Sequence, residues 1–159
     1  MWRVSLSLAA LLAISAPACG DKGPPPGTEP ANVFAERTDA EMREAIKAAR
    51  EQAKREGKHV LLEFVAPWCT DCREVTRVTR LEPAASVLRE KYVVVPVNVG
   101  RFDRHKALIA EHEVKIIAAL VVLDADGNRV AKTTLEPITK KEALTPDELA
   151  AWLRAPGGS

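Results

Sequence analysis

The sequence predicts an α/β domain: a mixed four-stranded sheet with a parallel part and a C-terminal antiparallel hairpin, and helices on both faces. Apolar residues at helical spacing alternate with short, nearly continuous β-branched runs, and that order requires parallel strands joined by helical crossovers. The last two strand-like runs are instead joined by Asp126-Gly127-Asn128, a tight-turn signal that requires an antiparallel pair. Of the 159 residues, roughly 120 remain once the chain ends are set aside, enough for one core and one domain.

The elements follow in order. Thr38 with Glu41 three residues later reads as a capping box, and Met42, Ala45, Ile46, Ala49 and Ala53 continue at helical spacing until Gly57. Residues 59–65 form a continuous apolar run suited to a strand covered on both faces. A helical pattern begins at Cys72 and reaches Arg80, and Pro83 starts a second piece ending near Lys91, because proline suits a first turn better than an interior. Residues 92–99 are β-branched, 103–113 helical, 119–123 a buried-type strand and 129–135 its hairpin partner. Thr145-Pro146-Asp147-Glu148 opens the last helix with a second capping box, and Leu149, Trp152 and Leu153 give it one apolar face.

Acidic and basic residues nearly cancel, for a net charge of +1, and they are interspersed, so no field strong enough to gather nucleic acid is expected. The N-terminus carries Arg3, an apolar run over 4–14 and then Ala16-Pro17-Ala18, the layout of an export leader over residues 1–18. The apolar run is too short for a permanent membrane span. Cleavage there would leave Cys19 first, ahead of a Pro/Gly-rich tether over 19–35 that has little to bury. The arrangement resembles the lipoprotein processing signal, with Cys19 as the lipidated residue, although Ala16 stands where a branched aliphatic residue is usual. Lipidation also resolves the odd count of three cysteines. The domain is expected over 36–155, with a flexible tail over 156–159.

The remaining cysteines, Cys69 and Cys72, form a CxxC pair where a buried strand gives way to a helix. The first sulfur there lies beside unsatisfied amide N–H groups and the positive end of the helix dipole, which favour the thiolate, the nucleophile of disulfide exchange. Cys69 is therefore expected to attack and Cys72, one turn inward, to resolve the mixed disulfide. Glu63 sits inside an otherwise apolar strand, where a charged, unpaired carboxylate costs several kcal/mol. Either it has a chemical task or it reaches an edge and meets a lysine or arginine.

The segment Glu63-Phe64-Val65-Ala66-Pro67-Trp68-Cys69-Thr70-Asp71-Cys72 resembles the strand-to-active-site segment of thioredoxin-like proteins, and the likeness extends from about residue 40 to 153. Asp71, the Glu82-Pro83 break and Val97-Asn98-Val99-Gly100-Arg101-Phe102-Asp103 resemble exported bacterial members, and the WCxDC motif is also that of disulfide reductases. The resemblance implies a Cys69–Cys72 disulfide, a proton-shuttling role for Glu63 and a cover over the site from Trp68. It also implies a cis-proline before the third strand, gripping substrate by its backbone; here that position is Ala118, after Ile117. A cis bond before a residue other than proline costs about 2.5–4 kcal/mol, so a trans, reshaped loop is expected.

The function expected on this basis is a thiol–disulfide oxidoreductase, a reductant of disulfides in exported proteins. Cys69, Cys72 and Glu63 would be catalytic, and Trp68, Ile117 and Ala118 would bind substrate. Expected partners are protein thiols or disulfides, a membrane reached through the lipid anchor and a membrane electron donor; a monomer without a cofactor is expected. The alternative is a binding module with weak turnover that holds a partner or a soft metal such as Cu(I) through its CxxC. His59, His105 and His112 lack zinc-finger spacing and read as surface residues at helix and strand ends, so no structural metal site is expected. Asp71 opposes and Arg73 favours a nearby thiolate, leaving the direction of electron flow open.

Overall fold

The computed structural model describes residues 32–139 and 143–157. The expected leader, Cys19, the tether up to residue 31 and the last two tail residues lie outside the described residues.

Helix α1 (Asp39–Glu56) starts at the capping box: Glu41 N–H donates to Thr38 Oγ1, and the Glu41 carboxylate accepts from Thr38 N–H at 2.7 Å. Gly57 ends it in the left-handed region at φ 66°. Thr38→Ala is expected to cost about 1 kcal/mol, the usual value of such a cap, read as a lowered urea midpoint with unchanged slope.

Strand β1 (His59–Val65) leads into helix α2 (Thr70–Val78), which is followed by helix α3 (Ala84–Lys91), with Pro83 capping the second piece. Strand β2 (Tyr92–Asn98) and helix α4 (Lys106–Glu111) come next. Strands β3 (Ala119–Leu123) and β4 (Arg129–Thr134) form the hairpin, whose turn is closed by Gly127 N–H donating to Asp124 O and by two backbone N–H groups donating to Asp124 Oδ1. Helices α5 (Leu135–Thr139) and α6 (Pro146–Arg154) complete the described chain, the latter behind the Thr145/Glu148 box.

The sheet order is β2-β1-β3-β4, with β1 parallel to β2 and antiparallel to β3. Strand β1 is thus flanked on both edges and covered on both faces, which explains why it is apolar but for His59 and Glu63. Alternation along the strand separates the two faces. His59 pairs with Tyr92, their rings 6.2 Å apart, and the Tyr92 hydroxyl donates to Leu153 O on α6 at 2.6 Å. The side of β1 that carries His59, Leu61 and Glu63 therefore faces α6, against which α3 packs. The Phe64 ring lies on the other face, 6.1 Å from the His112 ring at the end of α4. His105, ahead of α4, binds Asp39 of α1 through Nδ1 at 2.8 Å, which joins those two helices.

Three expectations are corrected. The helix anticipated over 103–113 is shorter, because Phe102 and His105 take left-handed conformations and the Asp103 carboxylate accepts Arg101 N–H at 2.8 Å, turning the chain before α4 starts. His105 and His112 are buried rather than on the surface: each caps α4 and turns inward, one to Asp39 and one to Phe64. The Ile117–Ala118 bond is cis, not trans. Ala118 is buried, and the next residue, Ala119, is paired to both Phe64 and Thr134, so the sheet sets the path of the segment as it enters β3. Helix α5 was not among the expected elements; its Pro137 stands in the first turn, where no intrahelical N–H partner is needed.

Candidate redox site

The site is built by the junction of β1 and α2. Cys69 N–H donates to Ala66 O, turning the chain out of the strand, and Cys69 becomes the N-cap of α2 in extended conformation. Its Sγ accepts the Cys72 N–H at 3.0 Å, as a serine or aspartate cap would. The two sulfurs are bonded to each other, with Cα atoms 5.2 Å apart. Cys72 is 0% exposed and Cys69 slightly more accessible, so a partner can reach only the first sulfur. In the reduced protein the same N–H and the dipole of α2 would favour the Cys69 thiolate.

Trp68 is 53% exposed, and its indole N–H donates to Gly100 O at 2.8 Å. The Arg73 guanidinium reaches back to Pro67 O at 2.9 Å and brackets the same turn from the helix side. The register Phe64↔Ala119 places the start of β3 beside the end of β1, so the 116–118 loop lies at the same end of the sheet as the cysteine turn. Ala118 is buried there, Ile117 half-buried and Ile116 59% exposed. Sequence reasoning chose Ile117 and Ala118 but missed Ile116, which offers the larger apolar surface; position along an irregular loop carries no periodicity that could have revealed it.

Glu63 is 3% exposed in the central strand, so the alternative in which it reaches an edge cation fails. Burial raises its carboxyl to about 7. It projects to the α3 and α6 side of the sheet, and α2 runs directly into α3. Among the described residues no group of three or more His, Cys, Asp or Glu side chains comes together to hold a metal.

Comparison with known proteins agrees with this geometry. A thioredoxin-like family model matches residues 41–125. The thiol:disulfide interchange protein DsbD of Vibrio vulnificus is 30% identical over 84 residues, which is 52% of this chain and 14% of that protein. Its namesake in Neisseria meningitidis is 32% identical over 89 residues, 54% of this chain and 15% of that protein. The chain thus spans a small part of the curated relatives it matches. Among solved structures, a disulphide isomerase from Xylella fastidiosa superposes with a TM-score of 0.65 at 28% identity, covering 76% of this chain and 93% of that one. The oxidised C-terminal domain of Neisseria meningitidis DsbD superposes with a TM-score of 0.56 at 20% identity and shares the fold.

Proposed function

The chain belongs to the thioredoxin-like family, and from that premise we propose that it is a thiol–disulfide oxidoreductase acting as a reductant of disulfides in exported proteins. The observation that carries the reading is the Cys69–Cys72 disulfide set at the N-terminus of α2, with Sγ of Cys69 on the Cys72 N–H. Relatives named as interchange proteins and a disulphide isomerase support it.

In the reduced protein the Cys69 thiolate attacks one sulfur of a substrate disulfide. A Cys69–substrate bond forms, the substrate S–S bond breaks, and one substrate sulfur leaves as thiolate and takes a proton. Cys72 then loses its proton to the Glu63 carboxylate and attacks Cys69 Sγ, releasing the second substrate sulfur. Two electrons have passed to the substrate, and the protein is left oxidised, the state seen here. Trp68 and Ile116 offer apolar surface to the substrate chain beside the attacked sulfur, with Ile117 and Ala118 forming the backbone edge against which it lies.

The exported setting is supported by the leader pattern, and the membrane anchor by Cys19 ahead of the Pro/Gly-rich tether. No helix among the described residues is long and apolar enough to cross a membrane. A tether of this kind would hold the domain near the membrane and an electron donor there while leaving it free to turn. Reduction of insulin disulfides by the purified protein, with dithiothreitol as the electron source, tests the activity. Wild type is expected to accelerate precipitation of the insulin B chain, and equal rates for wild type and Cys69→Ser would remove the enzyme reading.

A further inference from the structure

We propose that Asn98 is a positioning residue of this site, its side-chain amide fixing the backbone turn that holds the Trp68 indole beside Cys69. The proposal rests on the thiol–disulfide reading above and extends it to a residue outside the cysteine segment.

Asn98 ends β2 and is only 2% exposed, in a position where every neighbour along the strand is apolar or sealed. A buried amide is unfavourable unless its polar atoms are bonded. Here both ends are used, and each goes to a segment without regular structure. The carbonyl oxygen accepts Gly100 N–H at 3.0 Å, and the amide nitrogen donates to Phe34 O at 2.7 Å. Gly100 in turn presents its own carbonyl to Trp68 Nε1 at 2.8 Å. A path of hydrogen bonds therefore runs from the segment entering α1, through the Asn98 side chain and the backbone of Gly100, to the indole of the residue that precedes Cys69.

The turn that receives Asn98 is fitted to glycine. Gly100 has φ 59°, a region in which side chains are strained, and a Cβ there would meet Asp103 Oδ1. That same oxygen accepts Arg101 N–H. Asn98 also lies opposite Val65, the last residue of β1, and Val99 N–H donates to Val65 O, so the amide is braced on the strand that delivers the cysteines. The ring of Trp68 is half exposed, and its indole N–H is spent on Gly100 O. Where Gly100 O sits decides where the indole sits.

The test reads the indole directly. In the wild-type protein the Trp68 indole N–H, assigned by its loss in Trp68→Phe, is expected to exchange with deuterium at least about tenfold more slowly than a free indole, as a closed hydrogen bond requires. Asn98→Leu, which removes both polar atoms at similar volume, is expected to abolish that protection, whereas Asn98→Asp, which keeps the acceptor for Gly100 N–H and loses only the donor to Phe34 O, is expected to retain most of it. Asn98→Leu should also raise KM for a protein disulfide by about fivefold, the scale of one lost hydrogen bond, with kcat within about twofold. In a Trp68→Phe background the Asn98 substitutions should add almost nothing to KM, because the indole through which they act is gone. An unprotected wild-type indole overturns the proposal whether or not any variant folds. Intact protection in a folded Asn98→Leu, or fully additive effects in the double variants, would overturn it equally. If wild type fails to reduce protein disulfides at all, the exchange measurement still stands on its own and the failure belongs to the functional reading.

Discussion

Replacing Cys72 with serine is expected to halt exchange half-way, leaving the protein accumulated as mixed disulfides through Cys69. The two sulfurs differ in access and in electrostatics: Cys69 is the N-cap that accepts the Cys72 N–H, whereas Cys72 is 0% exposed. Only the first can meet a foreign sulfur, and only the second is placed to displace that partner, three residues away on the same helical turn. A serine at 72 keeps the N–H that supports the Cys69 thiolate and removes the nucleophile that ends the intermediate. Turnover should fall to background while covalent adducts, visible on non-reducing gels and released by dithiothreitol, build up. Cys69→Ser should lose turnover to the same extent and form no adduct, because Cys72 is sealed from partners. Adducts through Cys72 in that variant, or none in Cys72→Ser, would invert or dismiss the assigned roles. The trapped partners of Cys72→Ser would also identify the physiological substrates.

The sequence carried this site because its parts are local. A strand that must be apolar, a CxxC immediately after it and a helix to follow are all encoded within about a dozen residues, and each leaves a pattern that elementary rules can read. Glu63 was legible for the same reason, as a charge inside an apolar run. What was not legible depends on contacts between distant segments. Asn98 looks like an ordinary strand end until Phe34 and Gly100 are placed against it. His105 and His112 look like surface residues until α4 is docked on α1 and Phe64. The Ile117–Ala118 bond was misjudged because its expected geometry was argued from the isolated peptide, while in the fold the double pairing of Ala119 sets the path of the chain into β3.

Glu63→Gln is expected to make the protein more stable above neutral pH and slower as an enzyme, two effects of opposite sign from one buried carboxyl. Burial lifts the Glu63 pKa from 4.5 to about 7, so between those values the folded chain keeps a proton that the unfolded chain has released. The folded state then binds more protons than the unfolded one, and stability falls as pH rises through that window. The total, for a fully buried group, is roughly 3 kcal/mol at about 1.4 kcal/mol per unit. Urea unfolding at pH 4.5 and pH 8 should show wild type losing that much more than Glu63→Gln, whose neutral amide has no proton to lose. Activity should move the other way. With no carboxylate to take the Cys72 proton, resolution should slow by roughly 10²-fold, the lower end of what positioned acid–base groups contribute, and the wild-type rise in rate near pH 7 should vanish. The two measurements separate the two roles of the residue. A stability profile that flattens while the resolution rate is unchanged would leave Glu63 a buried carboxyl without a part in exchange, and a wild-type stability profile already flat across this window would deny its burial in the charged form any cost.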